Sequence, residues 1–254
     1  MDWLHEITHC PNIQHCYDTR QGSHPCSKII SVQRSYPHNL DQHQVPEPWS
    51  GDIEHAPILF LSSNPSIDEK PSIEEQEEFP LWSWSDERRA DFFTHRYKGG
   101  RKQWIENGTH YLQRNGSYSR AVKFWSSVRK RAKELLEKDV DDGVDYALTE
   151  VVHCKSKEEV GVEEALRECA KLYLQPVVAL SGAKVIVVLG KHAEKAVRDE
   201  FSIPDGSMFG PLQIGKRQRY IVFLPHPNAF MPRTFEKCFD KEKLQELRAF
   251  LRKG

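Results

Sequence analysis

An asparagine and a histidine, each at the end of an apolar run, stand far apart in this chain. Ser62, Ser63, Asn64, Pro65 and Ser66 close the run APILFL, and His226, Pro227 and Asn228 close RYIVFLP. An asparagine carbonyl can orient a water molecule, and a histidine can donate to a developing anion or polarise a leaving group. Taken alone, His226 is more readily a structural residue, so the pair gains meaning only if both run ends share a crevice. Ser62, Ser63 and Ser66 would need a neighbouring base to act as nucleophiles, and none is adjacent. A third polar cluster, TEVVHCKS, holds Glu150. The chain carries no glycine-rich phosphate loop, no HExxH and no serine elbow.

The elements that must bring these residues together can be read from periodicity. Ile58 to Leu61, Asp145 to Lys155, Ala183 to Gly190 and Arg219 to Pro225 read as buried strands. Trp82 to Tyr97 contains a helix, and Val122 to Leu136 is an amphipathic one. Gly161 to Ser181, the KHAEKAVRDEF segment and the terminal DKEKLQELRAFLRKG are helical. Strands alternating with helices imply a parallel sheet covered on both faces. The fold class expected is therefore α/β, a three-layer α/β/α sandwich around a mostly parallel four-stranded sheet. The carboxyl ends of its strands line one rim, where ligands bind in such sheets. A single domain over 1–254 is expected, with 1–50 as an irregular lead-in.

Composition bounds the function. The chain has 254 residues, 38% hydrophobic and 29% charged, with a net charge of −1, so no global cationic field advertises nucleic-acid binding. Positive charge is concentrated in RAVKFWSSVRKRAKELLEK (Arg120 to Lys138) and HRYKGGRKQW (His95 to Trp104), where a solvated helix face is the commoner explanation. No apolar run reaches the roughly 18 residues of a membrane span. The amino-terminal MDWLHEITHC lacks a signal-peptide pattern, which reads as cytoplasmic. Six cysteines in that setting are thiols or metal ligands before they are disulfides.

Three of these segments, in order, resemble motifs of the uracil-DNA glycosylase superfamily. LFLSSNPS resembles its first motif, TEVVHCKS…EALREC the middle motif of its iron–sulfur branches, and LPHPNAFMPR its closing loop. The resemblance spans residues 56 to 235. It implies an enzyme that flips a nucleotide out of DNA and hydrolyses its N-glycosidic bond with water, acting as a monomer on DNA. Asn64 would position the water and His226 would stabilise the departing base. Ser62, Ser66, Phe79 and Glu150 would bind the base, with Trp82, Phe92 and Phe93 as further candidates for a stacking ring. Asn228, Phe230, Met231 and Arg233 would touch DNA, Phe230 and Met231 as wedges and Arg233 on a phosphate; ordinary packing is the other reading of the two apolar residues.

Glu150 stands where the family usually has asparagine. An ionised glutamate only accepts hydrogen bonds, which favours a base with an amino group, such as a modified cytosine, over uracil. A role against phage genomes would follow. A protonated Glu150, or one paired with Lys155, would say nothing about the base. By the same resemblance Cys154 and Cys169 would ligate a [4Fe–4S] cluster with Cys10 and Cys26, each beside a proline. Cys16 is the reserve ligand, Cys238 a free thiol, and zinc the competing metal. A uracil-specific repair enzyme, a non-catalytic nucleic-acid binding module and a small-molecule hydrolase remain the rival functions.

Overall fold

A computed structural model describes residues 2–18, 22–34, 39–67, 72–97, 103–230 and 233–253. The strands are β1 (Ile58–Ser62), β2 (Ile105–Glu106), β3 (His110–Tyr111), β4 (Tyr146–Glu150), β5 (Val185–Leu189), β6 (Met208–Ile214) and β7 (Arg217–Leu224). The helices are α1 (Trp3–Thr8), α2 (Pro11–Asp18), α3 (Ser27–Arg34), α4 (Asp86–Thr94), α5 (Lys123–Leu136), α6 (Val162–Cys169), α7 (Gln175–Leu180), α8 (Lys191–Phe201), α9 (Phe235–Cys238) and α10 (Lys241–Arg252). The main sheet has five strands in the order β4-β1-β5-β7-β6, and β2 pairs with β3 in a separate ribbon.

β4, β1, β5 and β7 are parallel, and β6 runs antiparallel to β7 at the edge. The expected four-stranded sheet is thus corrected to five. β6 escapes periodicity because its sequence, MFGPLQI, carries Gly210 and Pro211 and is interrupted by a register shift between Phe209 and Leu212. Proline inside a sheet belongs on an edge strand or a bulge, and β6 has both.

The parallel strands are buried along their length, as uninterrupted apolar runs should be when both faces are covered. Alternate residues go to opposite layers. Leu59, Leu61, Ile186, Val188 and Ile221 pack with α6, α7, α8 and the amino-terminal helices. Ile58, Phe60, Val185, Val187 and Val222 pack against α5, α9 and α10. Three layers result, as expected for the class.

Part of the lead-in is regular, folding as α1, α2 and α3, while 43–50 holds no helix or strand. Each of the three helices has eight residues or fewer, too short for a durable periodic signal and too short to stand alone. Asp2 caps α1 by accepting from the His5 amide at 3.2 Å, and buried Ile7, Cys10, Ile13, Cys16, Cys26, Ile29 and Ile30 anchor the segment in the α6–α8 layer. The helix expected over Gly161 to Ser181 is divided, with a π turn at Ala170–Leu174 between α6 and α7. No helix among the described residues is long and apolar enough to cross a membrane.

Candidate active site

β1 and β4 lie side by side with Ser62 opposite Glu150. Their pairing continues past the strands: the Val151 and Val152 amides donate to the Ser62 and Ser63 carbonyls at 3.0 and 2.9 Å. Further on, Ser156 donates its amide to the Pro65 carbonyl, and Ile67 donates its own to the Ser156 carbonyl, both at 3.0 Å. Asn64 is therefore held in a loop stitched to the residues after β4. The consecutive residues Cys154, Lys155 and Ser156 serve different neighbours. Cys154 enters the thiol-rich layer, Lys155 enters a buried ion network, and Ser156 clamps the Asn64 loop.

β7 delivers His226 to the same rim. Asn64 and His226 both line a cavity of about 320 Å³ with Ser62, Ser66 and Glu150, and both line a neighbouring cavity of about 820 Å³. Gly190, after β5, has φ +88°, and a Cβ there would stand 3.2 Å from that of His226; only glycine meets both demands. Burial, helped by Arg131 and opposed by Glu159, lowers the His226 pKa, so the imidazole is neutral. The Asn228 amide donates to Nδ1 at 3.3 Å, which leaves the ring proton on Nε2. Phe124 stacks on the ring at 5.6 Å.

Beneath the smaller cavity lies the ion network. Arg96, almost wholly buried, pairs with Glu47 and, at 2.5 Å, with Glu77; Lys155 pairs with Glu77 at 2.7 Å. Burial would raise the Glu77 pKa, but Lys155 and Arg96 outweigh it and hold the carboxyl below its usual range. Glu150 receives neither cation. Burial, with Glu47 beside it, pushes its pKa well up, the Ser62 hydroxyl donates to it, and Oε2 is buried without a partner. Burial and Glu47 thus favour the protonated acid over the ionised, acceptor-only form, against the pull of Arg96 and Lys155, and Lys155 is itself paired with Glu77.

Phe79 is also corrected. It is 1% exposed and packs on Phe92 and Phe93, with the Lys155 ammonium 3.5 Å above its ring. It supports the network from below and does not line the cavity. Phe92 and Phe93 are core residues too, and half-buried Trp82 packs beside them. The rings that do line the cavity are Tyr111, Phe124 and Trp125. Sequence reading missed Phe124 and Trp125 because "KFWSS" reads as any amphipathic helix start. Phe230 is fully exposed at the tip of the loop after His226, so the packing alternative fails for it; Met231 lies outside the described residues. Arg233 donates to the Pro227 carbonyl, bracing that loop.

Cys10, Cys16, Cys26, Cys154 and Cys169 are all buried in one layer, while Cys238 is half-buried elsewhere. Burial and neighbouring thiols raise the pKa values of Cys26 and Cys154, and Cys169 is pushed up to about 12 by burial and by Cys10. Donors nonetheless converge on the sulfurs. The Asn12 and Ile13 amides and the Tyr173 hydroxyl reach Cys10, the His153 amide reaches Cys169, and Asn12 Nδ2 lies 3.9 Å from Cys26 Sγ. Donors on sulfur suit thiolates, and thiolates this deep require a cationic centre. Among the described residues no three of these sulfurs lie within 4.8 Å of one another. An all-sulfur donor set of this kind suits either an iron–sulfur cluster or zinc.

The sequence model of the Uracil DNA glycosylase superfamily matches residues 48–252. No curated protein matches the chain.

Proposed function

The chain belongs to the uracil DNA glycosylase superfamily, and from that premise we propose that it is a monofunctional DNA glycosylase acting on a cytosine-type base. The observation that carries the catalytic part is the convergence of Asn64 and a neutral His226 on one cavity. The C1′–N bond breaks with its electron pair entering the base, and positive charge develops on the sugar. His226 Nε2–H donates to the base oxygen that gathers the negative charge. The Asn64 carbonyl accepts a hydrogen bond from a water and aims the water's lone pair at C1′. As the C1′–O bond forms, the water's proton passes through solvent to the departing base anion, leaving the free base and an abasic sugar. Lys155, the lysine lining the smaller cavity, is tied to Glu77 and lies over Phe79, which favours water over an amine as nucleophile.

Base choice follows from the floor. Glu47, Glu77 and Glu150 all line the cavity, while Arg96 and Lys155 are occupied by Glu47 and Glu77. Glu150 is the one carboxyl of the three not paired with a cation, and in its neutral form it offers a carbonyl to accept from an exocyclic amino group and a hydroxyl to donate to the ring nitrogen beside it. At about 320 Å³ the cavity leaves space for a substituent on the pyrimidine. Removal of modified cytosines from invading DNA is the role such a substrate would serve. Cys10, Cys26, Cys154 and Cys169 would hold a [4Fe–4S] cluster, with Cys16 able to replace one of the first two. That group would supply a positively charged core that ties α1–α3 to α6.

The test is base release from duplexes bearing uracil, hypoxanthine, and methylated, hydroxymethylated or glucosylated cytosine, with products identified by mass. Release of a cytosine-type base is expected, and Asn64→Ala with His226→Ala should reduce it by about 10³-fold or more while DNA binding persists. Release that survives both substitutions would overturn the mechanism, and uracil as the preferred product would overturn the base choice.

A further inference from the structure

On the far side of the His226 loop runs a second groove of about 670 Å³. One wall is the first turns of α5, where Lys123, Ser127, Lys130 and Arg131 recur at helical spacing on one face. The other wall is Arg233 and Lys237 at the start of α9, and Pro227 and Asn228 close the end nearest the active site. Asn228 also lines both cavities that hold Asn64 and His226, so the groove and the active site share a wall.

The groove is electrically incomplete. Arg131 is 3% exposed; its NH1 donates to the Ser127 carbonyl at 2.8 Å, and its Nε is buried with no partner. Among the described residues, no carboxylate lies within ion-pair distance of Lys123, Lys130, Arg131, Arg233 or Lys237. The one acid on the walls, Glu134, already accepts from the Glu236 amide at 2.6 Å. Glu134 is the one negative charge acting on the buried Arg131 guanidinium from the walls, against Arg131 itself and four further cations, so the groove keeps an excess of positive charge that an anion would relieve.

We infer that this groove seats two consecutive phosphates of the DNA strand beside the everted nucleotide. The inference rests on the glycosylase reading and extends it from the base to the backbone. The shared Asn228 wall means that a strand delivering a nucleotide to Asn64 and His226 must pass the mouth of the groove. Lys123 and Lys130 are seven residues apart, about 10 Å along the helix, against about 3.4 Å of axial rise per phosphate in one strand. That length covers about three steps of a strand, enough for two consecutive phosphates. The basic run Arg120 to Lys138 is then more than a solvated face, since one side of it is aimed at the active-site loop.

The test is a Lys123→Ala, Lys130→Ala, Lys237→Ala variant, with Arg131→Gln made separately and checked for folding by its melting temperature. Affinity for a duplex carrying a non-cleavable nucleotide is measured between 50 and 200 mM salt. The expected result is a salt slope shallower by about 2 and affinity lower by about 10- to 100-fold, the loss falling on Kd and KM more than on kcat. Uncharged methylphosphonates at the two linkages beside the lesion should weaken the wild type equally and the triple variant little. An unchanged slope and Kd in the triple variant, with base release intact, would overturn the groove and spare the glycosylase reading. Salt-dependent binding lost in the variant, from a wild type that releases no base, would do the reverse.

Discussion

Two buried polar regions flank the end of β4, and they are built on opposite electrostatic plans. Under the base cavity, two cations and two anions meet: Arg96 with Glu47 and Glu77, and Lys155 with Glu77. Burial and Glu47 favour the neutral form of the fifth group, Glu150. The charges of that set balance among its own side chains. In the α6–α8 layer, five thiols gather with no cation among them, and burial together with their neighbours makes the ionisation of Cys26 and Cys154 harder. As neutral thiols they need no counterion, and only as ligands of the proposed cluster would they carry charge. The first region balances its charge with its own residues, and the second would do so only with the proposed group bound.

The sharpest way to break this contrast is to remove two thiols. Cys154→Ser with Cys169→Ser should abolish iron and sulfide incorporation and visible absorbance. It should also cost stability on the scale of a structural metal, about 10 kcal/mol, read as loss of soluble protein or of protection in α1–α3. Colourless wild-type protein with stoichiometric zinc would erase the difference in kind. Lys155→Met tests the balanced set, leaving Glu77 with Arg96 alone; a loss of about 3 kcal/mol is expected in denaturant melts. Adding Glu77→Gln should recover part of it, whereas no second side-chain change should rescue the thiol variant.

The smallest expected effect comes from Glu150→Gln, and its sign depends on pH. The native carboxyl keeps its proton above the 4.5 at which the unfolded group loses it. Native Glu150 therefore binds more protons than the unfolded chain, and stability falls as pH rises from there through the raised native value. The Gln variant lacks that loss. It should match the wild type near pH 4 and exceed it at higher pH by about 1.4 kcal/mol per unit crossed. Melts that run parallel at every pH would show an ionised Glu150 and put it back among the charged pairs.

How much of this was legible in the sequence depends on how far each contact reaches along the chain. β1, β5 and β7 announced themselves as uninterrupted apolar runs, and the polar turn at each end marked the rim. β6 did not, because a glycine and a proline break its pattern. Asn64 and His226 could be paired only by supposing a parallel sheet. The ion network could not be read at all: Arg96 reaches Glu47 across 49 residues and Lys155 reaches Glu77 across 78, and Arg96 sits in a stretch that looks like basic surface. Phe79 was misplaced for a related reason. Its nearness to the first motif suggested a stacking ring, but the fold turns it beneath Lys155.

Cys154, Lys155 and Ser156 occupy three consecutive positions that answer to the thiol layer, the ion network and the Asn64 loop. Peptide geometry allows no slack among them, so a displacement at the first is a displacement at all three. Oxidative damage to the sulfur end would thus reach the Asn64 loop through a relay two peptide bonds long. Under the proposed reaction, thiol integrity would bear on catalysis by this mechanical route, whether or not electrons ever move.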